Sequence, residues 1–177
     1  MNESAEWLND TAARLAAEGQ HEEAIAYLRR ALSLDPENPL ILLNLALSLF
    51  ALGRRDGARA SLYSALRARP DDVDTLDTLG VVLHELGEDA EAEERYLRAL
   101  ELDPGNGRIW NNLGVLRFSQ ARYAEARDSF EKAVALVPAF ADALYNLRDT
   151  YGELDEPDKM EACARMLDRL ARAGRLD

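Results

Sequence analysis

Few side chains in this sequence have the type and spacing to do covalent or metal chemistry. His21, His84 and Cys163 are the obvious candidates, and they lie far apart along the chain. A zinc site needs Cys and His in close, paired spacing, and a covalent catalyst needs a nucleophile beside a base. Neither pattern occurs, and no Gly-rich loop that could cradle phosphate is present. Carboxylates are plentiful, 33 Asp and Glu against 21 Lys and Arg, but carboxylates spread over helices are ordinarily solvated faces. We expect no catalytic centre, no metal and no cofactor, and hence no enzyme.

Recognition is the other chemistry on offer. The net charge of −12 and the pI near 4.7 argue against nucleic acid and anionic membranes, both of which select a basic face. Basic or apolar protein segments suit this surface better. One cysteine cannot form an intrachain disulfide framework. The opening residues MNESAEW lack the basic and apolar regions of a signal peptide. The most apolar run, Leu40 to Leu52, falls short of the ~20 residues of a membrane span and is interrupted by Asn44 and Ser48. The expectation is a soluble, cytoplasmic protein without membrane insertion.

The elements that position these residues follow from a period. Pro36, Pro70, Pro104 and Pro138 are each 34 residues apart (70−36, 104−70, 138−104), and a fixed period of roughly 20–50 residues marks a stacked array. Five units result, at about 5–38, 39–72, 73–106, 107–140 and 141–174, forming a single domain over 1–177. Each reads as two amphipathic helices, A and B, and in the first four helix B ends at the proline because proline removes a backbone donor and clashes with the preceding turn. Gly19, Gly53 and Gly87 mark the A–B turn, where a positive φ closes helix A; Ala121 in the fourth unit implies a strained turn. Asp71, Asp72 and Asn106 are the expected N-caps. Small residues recur where helices must cross: Ala12, Ala46, Gly80 and Gly114 on helix A, with Ala24, Ala58, Ala92, Ala126 and Ala31, Ala65, Ala99, Ala133 on helix B. Axes approach to ~8–10 Å only over such residues.

On these residues the sequence resembles the tetratricopeptide repeat family over essentially its whole length. The fourth unit carries the pattern best, in WNNLG (Trp110–Gly114), Ala126, Phe130, Ala133 and Pro138. The resemblance implies an all-α, right-handed superhelical solenoid of five stacked helix–turn–helix repeats. It also implies a concave wall of A helices and a protein that binds other proteins without chemistry of its own. The fifth unit departs, with Arg148 and Met160 at places that are small elsewhere, so its pair is expected to be splayed or rotated, with helix B near 156–173 as a polar cap. Relatives that clamp a C-terminal carboxylate use Lys and Arg where this chain has Asp74 and Thr78, which sets that ligand aside.

Helical spacing then assigns the peptide-binding wall to Leu43, Asn44, Leu47, Phe50, Asp74, Asp77, Val81, His84, Asn111, Asn112, Val115, Phe118, Tyr145 and Asn146. Helix A of the second unit, LILLNLALSLFAL, is apolar nearly all round and must be covered on every side. Its Leu43, Leu47 and Phe50, with Val81, Val115 and Phe118, either form an apolar trough for a partner or are buried between units. Asn44, Asn112 and Asn146 recur at one place, with Asp10 and Thr78 substituting. Such a row can pair with an extended peptide backbone, or can serve local hydrogen bonding. The primary expectation is a scaffold or adaptor whose groove binds a partner segment with apolar anchors and basic flanks, the latter met by Asp74, Asp77, Asp142 and Asp149. The alternative is a homo-oligomer that buries the groove or an end face.

Overall fold

The computed structural model describes residues 3–174. Among them are ten α-helices and no strand: α1 (Ala5–Ala17), α2 (His21–Leu34), α3 (Pro39–Ala51), α4 (Arg55–Ala68), α5 (Val73–Glu85), α6 (Asp89–Leu102), α7 (Gly107–Ser119), α8 (Tyr123–Leu136), α9 (Ala141–Glu153) and α10 (Pro157–Arg172). They divide into two compact units, one up to Arg95 and one from Tyr96, with the division inside α6. In the first unit, α1 to α5 pack each on the next, and the A helices α1, α3 and α5 also touch in sequence. In the second, α7 packs on α8, α8 on α9 and α9 on α10, with α7 also against α9.

The helix ends follow from local chemistry. Helix B stops two residues before each proline rather than at it. The residue before a proline is pushed out of the α region, and Asp35, Arg69 and Val137 accordingly leave helical geometry (φ −140°, −138° and −130°). Asn38, Asp72 and Asn106 then cap α3, α5 and α7 with their side chains; Asp71, also expected as a cap, lies outside the helix. In the two Asp-Pro-x-Asn loops the cap amide also reaches back across the turn, Asn38 to Asp35 at 2.8 Å and Asn106 to Asp103 at 3.1 Å. Trp110 Nε1 donates to the carbonyl of Pro104 (3.0 Å), tying α7 to its entry loop. At the A–B turns Gly19, Gly53 and Gly87 have φ between +71° and +79°, which glycine adopts without steric penalty. Ala121 takes the same left-handed turn (φ 58°), and so does Asp155 in the fifth unit (φ 56°), a place the sequence pattern does not flag.

The small residues on helices A and B are buried as a set: Ala12, Ala24, Ala31, Ala46, Ala58, Ala65, Ala92, Ala99, Ala126 and Ala133 are inaccessible. Their sizes are matched to what faces them. A methyl added to Gly114 would lie 2.5 Å from Phe130 Cε1 and 2.6 Å from Cδ1, so a ring at 130 demands glycine at 114. Ala12 and Ala46 occupy the equivalent place in pairs where Leu28 and Leu62 replace the ring. In the fifth pair Met160 is turned outward and partly exposed, and Arg148 lies over the Tyr145 ring (5.1 Å) rather than in the crossing. Ion pairs from Arg54 to Glu22, Arg55 to Glu85 and Arg59 to Glu88 run along the turn edge of the first unit.

Two predictions follow from this packing. Gly114→Ala should destabilise the protein by about 1–3 kcal/mol through overpacking, and adding Phe130→Leu should recover part of that loss, as urea unfolding of the single and double variants would show. Additive losses would mean the two positions do not share a crossing. Asp72 is the second case. Burial raises its carboxyl, but hydrogen bonds from the Thr75 hydroxyl and backbone N–H, and from Arg69, outweigh burial and hold it below the ordinary range. Its stabilising effect is therefore full above the unfolded value of about 3.9 and fades as pH falls through the lower folded value. Asp72→Ala should cost about 1 kcal/mol at pH 7 and progressively less as the carboxyl protonates.

Candidate functional site

The residues with reactive side chains do not assemble. His84, on the last turn of α5, places Nδ1 2.8 Å from Asp89 Oδ1 on the first turn of α6, which ties the two helices across their turn. His21 sits on the first turn of α2 with a buried Nδ1. Cys163 packs with Ala126, Phe130, Leu147 and Tyr151. Burial pushes its thiol up, Arg148 partly offsets this and Glu131 adds to it, so it remains protonated at neutral pH. Among the described residues no group of three or more His, Cys, Asp or Glu is arranged to hold a metal ion. No described helix is long and apolar enough to cross a membrane.

The A-helix face of the first unit presents apolar side chains. Leu40 and Leu47 are exposed, Leu47 at 45%, while Leu43, Phe50, Val81 and His84 are half-buried. A cavity of about 170 Å³ lies beside Leu40 and Leu43 and is bordered by Asp72, Asp74 and Arg69. Another, of about 200 Å³, opens among α1, α2 and α3 and includes Ala13, Ala16, His21, Asn44 and Leu47. In the second unit Val115 (37% exposed) and Tyr145 are open to solvent. A smaller cavity of about 80 Å³ is lined by Val115, Phe118, Phe130, Asn146 and Asp149. Phe118 leans on the core cluster of α8 and α9 and meets Tyr123 edge-on at 5.2 Å, so it is as much core as surface.

Two of the expected contact residues are withdrawn into the protein. Asp77 is 1% exposed and Asn111 7% exposed, although Leu43 and Tyr145, at the same place in the repeat, are half-buried and exposed. Asn9 shares that place and is buried too. The asparagine row has a partner for it. Asn44 Nδ2 donates to Asn9 Oδ1 (2.8 Å), and Asn146 Nδ2 donates to Asn111 Oδ1 (3.0 Å). Each bond joins one A helix to the next across 35 positions, so these amides serve local hydrogen bonding first. Asn112 is half-buried and engaged as well. Among the carboxylates expected to meet basic flanks, Asp74, Asp142 and Asp149 are exposed, and Asp149 pairs with Arg148 at 2.8 Å.

The cavity around Ala16 and His21 is a feature the sequence reading passed over. Its signal was available: the place that carries Phe50, His84 and Phe118 in later units carries only alanine in the first.

Comparison with known proteins places this arrangement. Two sequence models described as tetratricopeptide repeat match, one over residues 15–76 and the other over 78–139 and 111–147. Among solved structures, PilF of Pseudomonas aeruginosa is similar with a TM-score of 0.87 and 22% identity, covering 93% of this chain and 75% of that one. A crystal structure of MamA gives 0.81 and 22%, covering 91% and 96%. MamA from Desulfovibrio magneticus RS-1, residues 41 to the end, gives 0.81 and 20%, covering 99% and 97%. At these identities the likeness is one of fold. No curated protein matches the sequence.

Proposed function

Because the chain belongs to the tetratricopeptide repeat family, we propose that it is a non-catalytic interaction scaffold that holds a segment of a partner protein against its A-helix faces. The supporting observation is that each unit exposes apolar side chains on its A-helix face, Leu40 and Leu47 in the first, Val115 and Tyr145 in the second. Exposed apolar groups rimmed by polar ones mark partner sites. Leu40 and Leu43 border the same cavity as Asp74, which suits an apolar anchor followed by Arg or Lys. Burying two or three such anchors contributes roughly 1.5–3 kcal/mol each, and association and ordering costs reduce that total, so the expected affinity is micromolar or weaker.

A second reading, self-assembly through an end face, has one observation in its favour. Trp7 is 49% exposed, while the residues at its place in later units, Ile41, Thr75, Ile109 and Ala143, are all buried. Trp7 stacks edge-on with Tyr27 (6.4 Å) and leaves the rest of its ring open.

Peptide selection against the protein, followed by binding to Leu47→Asp and Val115→Asp, tests the first reading. Both side chains are exposed, so these variants should fold, whereas Phe118→Asp would disturb the core. Selected peptides should lose at least roughly tenfold in affinity to one variant or both, and binding should weaken with added salt. Unchanged binding to both would reject the site. Light scattering over a concentration series should show a monomer; growth of the particle that Trp7→Glu abolishes would favour assembly instead.

A further inference from the structure

The two cavities on the A-helix faces are the same cavity met twice. Each lining residue of the smaller one, Val115, Phe118, Phe130, Asn146 and Asp149, lies three 34-residue periods beyond a lining residue of the larger, Ala13, Ala16, Leu28, Asn44 and Leu47. Their backbones are therefore equivalent and their difference in volume, about 80 against about 200 Å³, is a difference of side chains. The decisive exchange is Phe118 for Ala16. In the second unit Phe118 packs against the core cluster that includes Phe130 and Leu147 and meets Tyr123 edge-on.

The surroundings of that ring are kept in the first unit although the ring is not. Leu28 and Leu45 stand at the places of Phe130 and Leu147, and the His21 imidazole stands where Tyr123 supplies its ring. Rings stand at this place in the three central repeats, Phe50, His84 and Phe118, whereas Ala16 and Gly152 leave it without one. A cavity of about 150 Å³ with apolar walls accommodates benzene, so the room here suits one aromatic ring. Its rim is Leu47, exposed at the mouth.

We propose that the cavity among α1, α2 and α3 receives an aromatic side chain of a partner polypeptide, which takes the place that Phe118 occupies in the second unit. This rests on the A-helix face being the partner surface. Edge-to-face contact with the His21 imidazole and burial against Leu28 favour a ring over a branched aliphatic chain.

The test uses N-acetyl-L-phenylalaninamide and N-acetyl-L-leucinamide as probes, titrated into the full chain and followed by amide and side-chain NMR. The phenylalanine derivative should give saturable shifts at Ala16, His21 and Leu47, with the leucine derivative roughly 3- to 10-fold weaker. Ala16→Phe supplies the missing ring from within; it should abolish those shifts and raise the melting temperature. Leu47→Glu, which alters only the mouth, should weaken the phenylalanine derivative and provides the check if Ala16→Phe does not fold. Equal binding of the two amides, no saturable shift, or unchanged shifts in both variants would overturn the assignment. Selected peptides that bind through Leu47 yet carry no aromatic residue would overturn it while leaving the interaction scaffold standing; failure of all peptide binding would instead remove that reading.

Discussion

Two helices can lie close only where one of the side chains between them is short. That constraint organises this chain more than any single bond does. At the crossing within each pair, the sum of two facing side chains is held nearly constant while its division changes: alanine with leucine in the first two pairs, glycine with phenylalanine in the fourth. Packing at close to crystal density leaves no room for both to be large. An amphipathic pair built this way still has an unburied side, which the next pair covers. The period is thus a consequence of packing, repeated because each solution creates the need for the next.

The polar chemistry is arranged around that requirement. Buried amides at the contact between successive A helices would be destabilising if unpaired, and the Asn9–Asn44 and Asn111–Asn146 bonds satisfy them. Because an amide is directional, each pair also fixes the register of one A helix on the next, which leucines alone would specify weakly. At the turn edge of the first unit Arg54, Arg55 and Arg59 pair with Glu22, Glu85 and Glu88 at partly exposed sites. Exposed pairs of this kind contribute little each, so the helices are held by burial and the charges mainly keep the surface soluble.

What could be read from the sequence was whatever the period repeats. The five pairs, the crossing residues and the positive-φ turns at Gly19, Gly53 and Gly87 were all legible because four or five copies agree. Asp155 was not, since a left-handed aspartate has no signature beyond its alignment with those glycines. The fate of Asp77 and Asn111 was hidden for a different reason. Their repeat place is buried in Asn9, Asp77 and Asn111 but half-buried in Leu43 and exposed in Tyr145, so the boundary between wall and interface shifts from unit to unit and helical spacing, which treats all five alike, cannot place it. Phe118 straddles the same boundary: its ring belongs to the core cluster and its edge to the cavity.

A repeat that must satisfy its crossings has few residues left to vary, and they are on the A-helix face. The comparison of the two cavities shows how much such variation can do. Exchanging Ala13, Ala16 and Leu28 for Val115, Phe118 and Phe130 shrinks the space by more than half, with Gly114 standing in for Ala12 at the crossing to admit the Phe130 ring, and exchanging Leu47 for Asp149 turns an apolar mouth into one bearing a carboxylate. Size and charge at the wall can therefore change from repeat to repeat while the helix pairing is kept. The two cavities are thus unlike sockets, and what each accepts is set by its own side chains rather than by the shared repeat.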